Sequence, residues 1–117
     1  MLSVFKRGDI WWAELGEPRG SGPGFRRPVL IVSDNRFNAS AIQTVLVAII
    51  TSNLKLASAP ANVMIPARAS GLTQASAVNL SQVATLDKTF LVERVARLPE
   101  RYLREVDAGL RLVLMLA

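Results

Sequence analysis

The chain has 117 residues, of which 50% are hydrophobic, so we expect one domain spanning residues 1–117 around a single core. It contains no histidine and no cysteine, which excludes catalysis by imidazole or thiolate, disulfide bonds and the common transition-metal sites. The formal net charge is +5, and eleven of the 14 basic residues are arginine. The planar donor fork of arginine matches phosphate oxygens, so this balance favours nucleic acid as a partner.

The first predicted element is a strand over residues 9–15, with Ile10, Trp12 and Leu15 facing the core. A loop over residues 16–26 follows, and its four glycines and two prolines, together with its length, are typical of functional loops. An apolar strand over residues 27–32 comes next, and Pro28 near its start is typical of a strand edge.

The middle of the chain predicts a short helical turn near residues 38–40 and a buried strand over residues 44–50. A polar loop over residues 53–60 leads to three shorter strands, over residues 61–65, 76–80 and 82–86. The apolar run from Val45 to Ile50 has only six residues, too few to span a membrane. The apolar part of MLSVFKRGD is too short for a signal peptide, so we expect a cytoplasmic protein with no membrane partner.

The C-terminal segment predicts a helix that begins at Pro99 and Glu100. Its apolar residues recur at helical spacing, and Gly109 weakens the helix without ending it. The apolar stripe consists of Leu103, Val106, Leu110, Val113, Leu114 and Ala117. The elements together predict a mainly β (α+β) fold, a small SH3-like antiparallel β-barrel or half-barrel with a C-terminal α-helix.

Four segments carry a resemblance to a known family, and they occur in this order: RGDIWWAELGEP, GSGPGFRRPVLIV, VAIITSN and ASAVNLSQVATLDK. The chain resembles the MazF/PemK/Kid toxin endoribonucleases of type II toxin–antitoxin systems over residues 6–90, and its C-terminal helix is compatible with them. The resemblance implies sequence-specific, metal-independent cleavage of single-stranded RNA, chiefly messenger RNA, to 2′,3′-cyclic phosphate and 5′-hydroxyl ends. Such cleavage arrests translation and growth.

The resemblance also implies the partners. We expect a homodimer without cofactor or metal, inhibited by the acidic C-terminal segment of a MazE-like antitoxin. Contact with operator DNA is expected only through that antitoxin. The high hydrophobic fraction is compatible with an oligomer, although a dense core would explain it equally well.

The resemblance assigns catalysis to Arg27 and Thr51. Arg27 precedes Pro28 at the junction of loop and strand, where its guanidinium can donate to the scissile phosphate in a bidentate manner. Thr51 ends an apolar strand, and its hydroxyl can donate to a non-bridging phosphate oxygen. The structural alternatives are a surface ion pair for the arginine and an ordinary strand position for the threonine.

The substrate-binding residues that the resemblance implies are polar side chains at strand ends and in loops: Ser21, Arg26, Ser52, Ser76 and Gln82. Turn chemistry and the capping of strand-end backbone groups are the structural alternatives for the serines and the glutamine. Trp11 and Trp12 are expected in the core or at an interface, outside the site.

The chain also departs from the family pattern. Gly22 stands where many members have glutamate, and Asn79 and Ser81 stand where some have arginine and aspartate. The general base is therefore unassigned, and two alternatives to RNA cleavage follow. One is a DNA gyrase poison of the same fold, although such relatives lack the arginine and threonine present here. The other is a non-catalytic RNA-binding protein.

Overall fold

Six antiparallel strands form one curled sheet, a half-barrel, in the computed structural model, which describes residues 4–17, 20–21 and 25–117. The strand order is β4-β5-β3-β2-β1-β6, and a long C-terminal helix packs against the sheet. The elements are β1 (Asp9–Glu14), β2 (Arg26–Ile31), α1 (Asn35–Asn38), β3 (Thr44–Thr51), β4 (Val63–Ile65), α2 (Ala67–Ser70), β5 (Ser76–Asp87), β6 (Leu91–Arg97) and α3 (Glu100–Leu114), with 3-10 turns at Leu54–Ser58 and Lys88–Phe90. The predicted half-barrel with a C-terminal helix is confirmed.

Apolar side chains are buried on both faces of the sheet, because successive residues of a strand point to opposite sides. The helix-side core contains Ile10, Leu30, Ala48, Ile50, Val63, Ile65, Val78, Leu80, Leu98, Tyr102, Leu103 and Val106. The second core contains Ala13, Val29, Ile31, Val45, Val47, Ile49, Leu86 and Leu91. Burial on both faces explains why residues 28–31 of β2 and residues 45–50 of β3 are continuously apolar.

The first strand corrects one prediction. Ile10 is buried in the helix-side core, as expected, and Leu15 packs against the second core together with Trp11. Trp12 belongs to neither core. It is half-buried and lines an open cavity at the end of the sheet.

The last two strands also differ from the prediction. The segments predicted as strands 76–80 and 82–86 form one strand, β5, interrupted by a bulge. Ile49 pairs with Asn79, whereas the preceding Ala48 pairs with Val83, so the residues between them have no partner in β3. Strand β6 was not predicted, because LVERVAR is an edge strand with mostly exposed or half-buried side chains and weak alternation.

The helix α3 follows Pro99, as predicted, and buries Tyr102, Leu103 and Val106. Gly109 is also buried, because the helix approaches the chain at Ala61 so closely that a side chain at this position would not fit. The apolar side chains at the end of α3 and beyond are exposed in the single chain: Leu112, Val113, Leu114, Met115 and Leu116. None of the helices within the described residues is long and apolar enough to cross a membrane.

Candidate active site

An open cavity of about 400 Å³ lies at the end of the sheet where β2 begins and β3 ends. Because β2 and β3 are antiparallel, the start of one strand and the end of the other meet at this edge. Four of the residues predicted from the sequence line the cavity: Arg26, Arg27, Ser52 and Ser76. The other lining residues are Trp12, Phe25, Pro28, Ile50, Leu72, Thr73 and Gln74.

Arg27 is the cation whose charge remains open to a ligand. It is half-buried near the start of β2, where it pairs with Ala13 of β1 in the sheet. Among the residues that the structure describes, its guanidinium has no hydrogen bond and no ion pair. The ion-pair alternative therefore finds no partner in the described part of the chain, and the donor fork is available for a phosphate.

Thr51 ends β3 close to Arg27. The last observed pair of β2 and β3 at this edge is Val29 with Ile49, and Arg27 and Thr51 each lie two residues beyond it in their own strands. Residues two positions apart in a strand point to the same face, so Arg27 and Thr51 share the face of Val29 and Ile49. The Thr51 Oγ1 accepts the backbone N–H of Asn53 at 3.1 Å, which leaves its own proton available for donation. Thr51 itself does not line the cavity.

Arg26 is held by two carboxylates. Its guanidinium nitrogens lie 2.9 Å from an Oε1 of Glu93 and 3.4 Å from an Oε1 of Glu14. The same guanidinium lies over the Trp12 ring, 5.1 Å from the ring centroid. These contacts locally neutralise Arg26 and fix its position. The contact of Arg26 with the RNA backbone stays a prediction, because a phosphate would compete with the exposed carboxylates of Glu14 and Glu93 for the guanidinium.

The remaining predicted residues separate into two groups. Ser76 is 4% exposed and its Oγ donates to the carbonyl of Gln74 at 3.1 Å, which fixes the loop before β5. Ser52 is exposed at the cavity wall. Ser21 and Gln82 do not line the cavity. Ser21 lies in an exposed turn, and Gln82 accepts a hydrogen bond from Asn79 within the bulge of β5.

Sequence reasoning missed Trp12, Phe25, Thr73 and Gln74, which also line the cavity. Phe25 closes the base of the Gly/Pro loop, because its carbonyl accepts the N–H of Leu15 at 2.8 Å and its N–H donates to the carbonyl of Gly16. It adopts a left-handed backbone with φ of 60°, and its side chain is 64% exposed. An aromatic residue directly before two arginines in a glycine-rich loop was the available sequence signal.

Two further observations bear on the chemistry. No group of three or more acidic, histidine or cysteine side chains within the described ranges could hold a metal ion. Gly22, which replaces the usual glutamate, lies outside the described residues. The carboxylates that contact a cavity-lining side chain in the described structure are those of Glu14 and Glu93, both through Arg26.

Comparison with known proteins identifies the family of this chain. Residues 6–114 match the family described as PemK-like, MazF-like toxin of type II toxin–antitoxin system. Endoribonuclease MazF6 of Mycobacterium tuberculosis is 48% identical over 111 residues, covering 95% of this chain and 97% of the relative. Endoribonuclease EndoA of Bacillus subtilis is 35% identical over 116 residues, covering 97% of each chain.

A solved structure is also similar. The MazE–MazF complex (Form-II) from Deinococcus radiodurans contains a chain that superposes with a TM-score of 0.77 at 25% identity, covering 97% of this chain and 98% of that one. The sequence match spans nearly the whole chain, and the strands that carry Arg27 and Thr51 lie within it. The chain therefore belongs to the PemK-like, MazF-like toxins of type II toxin–antitoxin systems.

Proposed function

We propose that this toxin endoribonuclease cuts single-stranded RNA without a metal ion, using Arg27 and Thr51 as its catalytic residues. The observation that carries this proposal is Arg27, which lines an open cavity, has no side-chain partner among the described residues, and lies at the start of the strand next to the one that Thr51 ends. A cation without a counter-ion at this position is suited to a phosphate.

The proposed reaction is a transfer within the RNA. The ribose 2′-oxygen attacks the adjacent phosphorus and loses its proton, while the bond from phosphorus to the 5′-oxygen breaks and that oxygen takes up a proton. The products are a 2′,3′-cyclic phosphate and a 5′-hydroxyl. Arg27 stabilises the negative charge that develops on the phosphorus centre, and the Thr51 hydroxyl donates to a non-bridging oxygen.

The substrate-binding residues hold the RNA in line for this attack, since orientation of nucleophile and phosphate lowers the barrier. Ser52 and Ser76 act at the cavity, and Arg26 contacts the RNA backbone through guanidinium N–H groups that Glu14 and Glu93 leave free. Ser21 and Gln82 act further along the RNA, because neither borders the cavity.

Regulation follows from the same charge. A structural relative is solved as a MazE–MazF complex. We infer that a MazE-like antitoxin inhibits this chain by laying its acidic C-terminal segment over Arg27, and that operator DNA is contacted only through the antitoxin. The segment and RNA should then compete, which a fluorescence-anisotropy displacement assay measures. Binding of both at full affinity would show separate sites.

The proposed assembly is a homodimer. The exposed apolar end of α3, from Leu112 to Leu116, supplies surface that a second copy can bury. We place the dimer in the cytoplasm, in contact with RNA and antitoxin but with no membrane.

A direct experiment tests the function. Purified protein is incubated with a long single-stranded RNA, with and without EDTA, and the ends of the fragments are identified. We expect cuts at a short recurring sequence in both conditions. RNA binding without cuts would indicate a non-catalytic protein, and inhibition of DNA supercoiling without cuts would indicate a gyrase poison.

A further inference from the structure

We propose that the cavity beside Arg27 holds one unpaired nucleobase of the RNA, and that Gln74 forms hydrogen bonds with the edge of that base. This inference rests on the proposed RNA cleavage and extends it, because it names side chains that select the sequence to be cut. The cavity would then be a specificity site next to the catalytic pair.

The size and the walls of the cavity suit a single base. Its volume of about 400 Å³ lies near the lower end of ligand sites, which span roughly 300–1,000 Å³, so it accommodates one nucleotide rather than several. Trp12 and Phe25 supply aromatic surface, and Pro28, Ile50 and Leu72 supply apolar surface. Unpaired bases in protein–RNA complexes characteristically stack on aromatic side chains.

Trp12 is held in place before any ligand arrives. The guanidinium of Arg26 lies over its ring at 5.1 Å from the centroid, and Glu14 and Glu93 hold that guanidinium. An aromatic ring fixed in this way loses little conformational freedom when a base binds. Preorganisation of this kind favours selective binding.

The hydrogen-bonding groups of the cavity are open to a ligand. The side chains of Ser52, Thr73 and Gln74 make no hydrogen bond within the described residues, although all three line the cavity. The Gln74 amide offers a donor and an acceptor side by side, and such a group can pair with two adjacent atoms of a base edge.

The loop that carries Gln74 is fixed at both ends. The N–H of Leu72 donates to the Ser70 Oγ at 3.0 Å, and the Ser76 Oγ donates to the Gln74 carbonyl at 3.1 Å. The cavity also borders Arg27, so a base inside it would belong to a nucleotide close to the phosphate bound there. These contacts fix the backbone that carries the Gln74 side chain, and that side chain lines the same cavity as Arg27.

The test compares Gln74→Ala with the wild type and with Gln43→Ala, a control in which an exposed glutamine just before the opposite end of β3 is removed. Each protein cuts a random-sequence RNA pool, and the fragment ends are sequenced. We expect Gln74→Ala to lose preference at one position of the recognition sequence, with discrimination there falling about tenfold. Gln43→Ala should retain the wild-type sequence. Unchanged preference in Gln74→Ala at every position would overturn the proposal.

A binding measurement decides the question independently of cleavage. In the Trp11→Phe variant, Trp12 is the remaining tryptophan, and RNA carrying 2′-deoxyribose at the cut is titrated against its fluorescence. We expect the RNA to quench Trp12, and an abasic nucleotide at one particular position to remove the quenching and weaken binding about tenfold. Equal effects of abasic nucleotides at all positions would contradict the base site. Position-specific quenching in Trp11→Phe together with no RNA cleavage by the wild type would refute the proposed function alone.

Discussion

Substitution of Arg27 by alanine should abolish most RNA cleavage while leaving the fold nearly intact. Removal of a single donor group that stabilises transition-state charge typically costs about 3–4 kcal/mol, which corresponds to a rate about 100–1,000-fold lower. The loss of folding stability should stay within about 1 kcal/mol, because within the described structure the guanidinium makes no hydrogen bond or ion pair that the substitution would break.

The assay is single-turnover cleavage of a short fluorogenic RNA at saturating enzyme, with thermal unfolding measured on the same samples. Arg36→Ala is the matched control, because its side chain is 93% exposed and pairs with Asp34 away from the cavity. Arg27→Lys keeps the charge but loses the planar donor fork, so its rate should lie between those of the wild type and Arg27→Ala. Cleavage by Arg27→Ala at the wild-type rate would refute the catalytic assignment, and loss of folding would favour a structural role.

Three further predictions follow from the fold and its surface. Gly109→Ala should destabilise the protein by about 2 kcal/mol despite a better helix propensity, because the new Cβ would clash with the carbonyl oxygen of Ala61. The control Ala108→Gly should cost about 1 kcal/mol from helix propensity alone. A melting temperature of Gly109→Ala above that of the wild type would contradict this packing. Arg94→Ala should lower the free energy of unfolding by about 2 kcal/mol, measured with denaturant, because the nearly buried carboxylate of Asp9 loses its ion-pair partner at 2.9 Å. A variant as stable as the wild type would show that water replaces the arginine. Light scattering on dilute protein should give a dimer, and full activity at a mass near 12.7 kDa would rule out a dimer requirement.

Hydrophobic pattern predicted the buried centre of the sheet well. The observed β1, β2 and β3 lie within one residue of their predicted bounds at each end, because apolar runs bounded by polar and glycine-rich segments define buried strands. The same reasoning failed where burial is weak. The edge strand β6 exposes charged side chains, and the bulge in β5 places polar residues in the middle of a continuous strand.

Only some residues of the candidate site were predicted from the sequence, for a similar reason. Arg27 lies at the start of one strand and Thr51 at the end of the neighbouring strand. The local sequence and the family resemblance together therefore placed them near each other. Gln74 and Phe25 reach the cavity from separate loops, and no period in the sequence relates loop residues that are distant along the chain. Trp12 was assigned to the core because it alternates with Ile10 in the strand, whereas the structure places it in the wall of the cavity, outside both cores.

In the proposed reaction, a ribose hydroxyl of the RNA, activated beside Arg27 and Thr51, cuts the RNA without a metal ion. The most direct measurement compares two RNA oligonucleotides in EDTA, identical except that one carries 2′-deoxyribose on the 5′ side of the cut. We expect the all-RNA oligonucleotide to yield a 2′,3′-cyclic phosphate and the deoxy oligonucleotide to stay intact while binding as tightly. Efficient cleavage of the deoxy oligonucleotide would show that the 2′-hydroxyl is not the nucleophile.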